Sequence, residues 1–160
     1  MLRKGKSGKG RGQGLDYWKW NWEGGDQIIK FSNMIKSVQI SGAGLSSVNG
    51  MYMPKSPSSS IPIGFKKTCD SMKWPVEKTW DDLSSKDTDW YLSTTNDSYM
   101  YLNARDGTWW IDEPSGAGAF IALDKGNGEG PPASGWRPLD GIPGPVPEVE
   151  IHTEGELREL

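Results

Sequence analysis

One cysteine and one histidine, Cys69 and His152, stand in a chain of 160 residues. A single cysteine excludes an intrachain disulfide, so the fold does not lean on an oxidising compartment. One Cys and one His also fall short of the usual zinc sets, which draw three or four such ligands. No window approaches the roughly 18 apolar residues of a membrane-spanning helix, and the start lacks the apolar stretch of a secretory signal. Hydrophobic residues are also scarce, at 34% against about 45–50% in a typical globular chain.

The same scarcity removes most catalytic chemistry. His152, the one candidate base, sits in an acidic stretch read as tail, which leaves a nucleophilic Ser or Cys without a positioned partner. Gly5-Lys6-Ser7 lacks the upstream glycine and the preceding strand of a phosphate loop. Gly42-Ala43-Gly44 carries Ser47 where a dinucleotide fingerprint needs a third Gly or Ala, and Asn49-Gly50 follows where a helix should begin, so it reads as a turn. Residues 124–130, DKGNGEG, lack the alternating ligands and closing Glu of a calcium loop. Asp81, Asp82, Asp87, Asp89, Asp97, Asp106, Asp112 and Glu113 supply acids near aromatics, yet spread over loops they read as solvated surface rather than a paired acid and base. The expectation is a protein that is not an enzyme and binds no cofactor or metal.

What is present is glycine, proline and aromatic side chains. The 21 Gly and 11 Pro imply much loop or tail, while nine Trp and five Tyr are far too many for a disordered chain. A compact aromatic core with irregular ends reconciles the two. Charge divides the same way. Arg3, Lys4, Lys6, Lys9 and Arg11 fall in the first 11 residues with no acid, which leaves 13 basic against 21 acidic residues, a net of −8, for the remainder. From Glu148 onward five glutamates face Arg158 alone. The sequence thus divides into a basic, Gly- and Trp-rich arm (1–25), a β-module (26–137) and a Pro-rich acidic tail (138–160).

Within the arm, Trp18, Trp20 and Trp22 alternate with polar residues, which places three indoles on one face of an extended strand. Strands are expected at 27–31, 37–40 and 48–53, the last interrupted by the turn pair Asn49-Gly50. Pro62 makes 61–65 an edge strand or the approach to one. Residues 66–87 are ambiguous, with Met72, Trp74, Val76 and Trp80 alternating imperfectly around Pro75. Four strands then follow around 90–92, 99–102, 108–111 and 119–122, with Asp106-Gly107 turning the second into the third. Trp136 is expected to fold back on them. Short strands at regular spacing, without a convincing helical period, predict a mainly β fold. The architecture expected is a small antiparallel meander or partly open barrel with extended N- and C-terminal arms.

Five groups recur in order along this module: Ile40-Ser41-Gly42-Ala43-Gly44, Val48-Asn49-Gly50-Met51-Tyr52, Tyr101-Leu102-Asn103, Trp110-Ile111 with Gly118-Ala119-Phe120, and Pro131-Pro132 leading to Gly135-Trp136. The set resembles a small β-module of algal and other protist proteins with the loose pattern V-x-G-A, N-G-x-Y, Y-x-Y, W-x-I, P-x-x-x-W, over about residues 35–137. The insertion at 54–88 departs from it. The resemblance implies a binding or scaffolding module with no catalytic residues, in an intracellular setting that includes organelles such as the plastid.

The expected function is a non-catalytic accessory or scaffold subunit that docks into a larger assembly, an algal photosynthetic complex among the candidates. The expected partner-binding residues are Arg3, Lys4, Lys6, Lys9, Arg11, Tyr17, Trp18, Trp20 and Trp22, set against other protein subunits. The same basic arm suits a nucleic acid or an anionic membrane surface, with the aromatics stacking on bases. A net −8 on the remainder opposes a polyanion. A third reading is a carbohydrate-binding module with tryptophan faces on sugar rings.

Overall fold

The structure, a computed structural model, describes residues 34–126 and 130–154. Within them, Ser37–His152 form one compact unit. Among the described residues, eight antiparallel strands form a curled half-barrel sheet, so the mainly β expectation holds. They are β1 (Ile35–Ser41), β2 (Gly50–Lys55), β3 (Trp90–Ser93), β4 (Tyr99–Asn103), β5 (Thr108–Asp112), β6 (Gly118–Leu123), β7 (Arg137–Pro138) and β8 (Glu148–Thr153). Their order is β7-β6-β5-β4-β3-β2-β1-β8, a meander whose last strand returns beside the first.

Strand register sorts the side chains onto two faces. Val38 opposes Tyr52, Tyr91 opposes Met100, Met100 opposes Ile111, and Ile111 opposes Phe120. These residues, with Ile40 and Trp109, are buried and form one apolar face. The other face carries Trp90, Leu92, Tyr99, Tyr101 and Trp110, and two helices pack on it. Because side chains alternate along a strand, the pairs Tyr91/Leu92 and Trp109/Trp110 each send one side chain to either face.

Two expectations change in the 61–87 segment and one beyond 138. Residues 63–83 form helices α1 (Ile63–Met72) and α2 (Val76–Leu83), not an edge strand and an irregular stretch. Pro62 and Pro75 stand at the two N-caps, where a missing N–H and a fixed φ suit a helix start. Phe65 and Cys69 give α1 an inward stripe, and Val76, Trp80 and Leu83 give α2 another at i, i+4, i+7. Between them Lys73 takes a left-handed conformation (φ 62°), and Trp74 N–H reaches back to Cys69 C=O at 2.9 Å to close α1. Lastly, residues 148–153, expected as tail, supply β8, whose Val149 is buried at the sheet edge. His152 thus lies on a strand, 3.6 Å from Glu150.

Asn49-Gly50 also acts otherwise than as a hairpin turn. The Asn49 amide accepts from Ala43 N–H at 3.0 Å and donates to Ala43 C=O at 3.3 Å, pinning the β1–β2 connection to itself. Gly50 then opens β2. Asp106-Gly107 does turn β4 into β5: Gly107 has φ +70°, and Asp106 accepts from Thr108 N–H at 3.0 Å.

Candidate functional site

The arm residues singled out from sequence, Arg3, Lys4, Lys6, Lys9, Arg11, Tyr17, Trp18, Trp20 and Trp22, lie outside the described residues, as does the expected strand at 27–31. The points at which both ends join the described chain are nevertheless defined. Met34, just before β1, accepts from the N–H of Glu154, just after β8, at 2.9 Å. The segments 1–33 and 155–160 therefore join the described chain at adjacent backbone positions.

The tryptophans of the body are used for packing. Trp80, Trp90, Trp109 and Trp136 are buried, Trp110 is half-buried, and only Trp74 among the described residues is exposed. Trp136 folds back as expected, its indole N–H donating to Pro132 C=O at 2.8 Å. Trp109 donates to Asp124 at 2.9 Å, and the other Asp124 oxygen accepts from Gly126 N–H. Asp124, the first residue of the DKGNGEG stretch, thus serves a tryptophan and a turn. Among the described residues no three of His, Cys, Asp and Glu are grouped to hold a metal.

An aromatic cluster with one thiol lies under the helices. Phe65, Cys69, Trp80, Trp90, Tyr99 and Tyr101 form one buried cluster. Phe65 and Trp80 meet edge to face at 4.8 Å, and Trp80 reaches Trp90 at 6.0 Å and Tyr101 at 5.4 Å. Directly opposite Tyr99, at the end of β5, stands Asp112, 4% exposed. Sequence alone could not separate Asp112 from its acidic neighbours. Asp81 and Asp82 are exposed on α2 and pair with Lys86 and Lys78, whereas Asp112 pairs with no cation among the described residues.

Burial pushes the Asp112 carboxyl up to about 7, partly offset by the nearby Tyr99 hydroxyl and reinforced by Glu113. The Tyr99 hydroxyl is close enough to favour the ionised carboxyl, but the contact falls short of a well-formed hydrogen bond. Tyr99 Oη and Asp112 Oδ1 both remain without a partner, as do the indole N–H groups of Trp80, Trp90 and Trp110. Burial, then Asp112, raises the Tyr99 phenol. Both groups are therefore neutral in the folded state at mildly acidic pH.

Asp112 is held from its backbone side as well. Ser98 Oγ donates to Asp112 C=O at 2.7 Å and meets Tyr52 Oη at 2.8 Å, while Tyr52 Oη donates to Val48 C=O at 2.6 Å. This chain ties β2 and the β1–β2 connection to the ends of β4 and β5. On the far side, Gly64 in the first turn of α1 lies against the β5–β6 turn. A Cβ there would stand 2.8 Å from Pro114 O, and 2.9 Å from Gly116 N and Tyr99 Cε1. Only glycine allows the helix this close to Tyr99.

No family model, curated protein or solved structure matches this chain.

Proposed function

We propose that the protein is a non-catalytic accessory or scaffold subunit that docks into a larger protein assembly through its terminal segments, with the β-body as the support. The observation that carries this reading is the Glu154–Met34 hydrogen bond at 2.9 Å. It sets the attachment points of the basic, Trp-bearing segment and of the acidic end beside each other. The segment 1–33 carries a net +4 and 155–160 a net −1, and two segments leaving one place can address neighbouring patches on a single partner. The body's indoles are largely engaged in its own core, which leaves Trp18, Trp20 and Trp22 as the aromatics to be assigned to a partner. The same engagement disfavours sugar stacking by the body, where Trp74 is the one exposed indole among the described residues.

A photo-crosslinking residue placed at Trp20 in the full chain, in its own cells, tests the proposal. Discrete adducts with one or a few proteins are expected. Adducts with nucleic acid alone would transfer the role to the polyanion reading, and the absence of any adduct at Trp20 and at Trp22 would overturn docking through this strip.

A further inference from the structure

The Asp112 carboxyl is buried opposite Tyr99, whose ring lies close under Gly64 of α1, with an unpartnered oxygen, beside an unpartnered phenol, and with no cation paired to it among the described residues. The groups facing it are few. β4 presents Tyr99 and Tyr101, and Glu113 follows Asp112 in the chain. From α1 the titratable group turned inward is Cys69, while Lys66, Lys67 and Asp70 lie away from the cluster. α2 turns Val76, Trp80 and Leu83 inward and keeps Lys78 and Asp82 paired at the surface. β6 sets Gly118 opposite Asp112. Every one of these inward neighbours is neutral or acidic.

We propose that Asp112 is a proton-dependent latch for the helical layer, closed over the aromatic cluster when the carboxyl is protonated and driven open when it ionises. A neutral carboxyl has an O–H to offer and tolerates the aromatic surround. A carboxylate there has lost its water and gained neither a cation nor a full set of donors, the costliest state for a buried polar group. Separating α1 from the β5–β6 turn, which Gly64 and Thr68 of α1 meet at Pro114 and Gly116, would readmit water beside Tyr99 and Asp112. The raised carboxyl sets the range. In the open form Asp112 ionises near its ordinary 3.8 and in the closed form at about 7, so opening gains as pH rises between those values and levels off above.

Cys69 reads the latch directly. It lies on the inward face of α1, is 1% exposed, and is the only thiol in the chain. The experiment measures the rate of Cys69 modification by a pyridyl disulfide in the full chain from pH 4 to pH 9. At each pH the rate is divided by that of the denatured chain, which removes the intrinsic effect of thiol ionisation, and far-UV circular dichroism follows the fold. Wild-type protection is expected to fall several-fold, at most about tenfold per pH unit, up to about pH 7 and then level off, with the dichroism unchanged. Asp112→Asn should give a flat profile. Tyr99→Phe, which removes a group that favours the ionised carboxyl, should shift the plateau to higher pH. A flat wild-type profile, equal profiles in wild type and Asp112→Asn, or loss of dichroism in step with labelling would overturn the latch. Should Asp112→Asn fail to fold, an unshifted plateau in Tyr99→Phe would do so.

Discussion

Asp112 and Tyr99 face each other across β5 and β4 with few of the partners that buried polar groups require. Because the folded carboxyl titrates at about 7, above its value in the unfolded chain, the native state binds the extra proton between those two values. Stability conferred by the protonated form is therefore full in acid, declines as pH rises towards 7, and is lost above it. Asp112→Asn should accordingly flatten the pH dependence of the urea midpoint and raise stability at pH 8 by roughly 2–4 kcal/mol. A midpoint that still falls with pH in the variant would refute the assignment. Gly64→Ala bears on the same place by steric means. Its Cβ would press on backbone at Pro114 and Gly116 and on the Tyr99 ring, none of which yields easily. A loss of about 1–3 kcal/mol in chemical denaturation is expected. Neither residue announces itself in the sequence. Asp112 looks like the other acids around it, and its place opposite the buried Tyr99 follows from strand pairing rather than from its own neighbours in sequence.

The elements were legible where one local pattern dominated. β3 to β6 could be read because short aromatic and apolar runs stand between turn signals, and Asp106-Gly107 turns as such a pair should. α1 and α2 were not, for a physical reason. Each is short, with only two or three inward side chains, and Pro62 and Pro75 read as strand breakers when they mark helix starts. The spacing Val76, Trp80, Leu83 was the signal available. β8 was hidden by the prolines before it and by its glutamates, which an edge strand with one solvated face tolerates. If the helices hold to the sheet chiefly through Trp80, which touches Phe65, Trp90 and Tyr101, Trp80→Ala should cost about 3–5 kcal/mol. It should also speed Cys69 labelling at every pH. Unchanged labelling would show that α1 is held independently of α2.

At the scale of the whole molecule, the sheet brings the chain back to where it began. β8 lies beside β1, and Glu154 bonds to Met34, so the segments on either side of the sheet attach at neighbouring points. The mainly β architecture and its aromatic core were readable from composition and spacing. This return of the chain was not, since it depends on pairing between strands at opposite ends of the sequence. In the proposed function the terminal segments are the docking elements and the body is their support. The most direct measurement is sedimentation of the tagged full chain in a gentle extract of its own cells, beside a variant carrying Trp18→Ala, Trp20→Ala and Trp22→Ala. Wild type should travel with a large complex and the variant as a free protein near 17.7 kDa. Wild type at the free position, or both chains in the large complex, would contradict docking through the terminal segments.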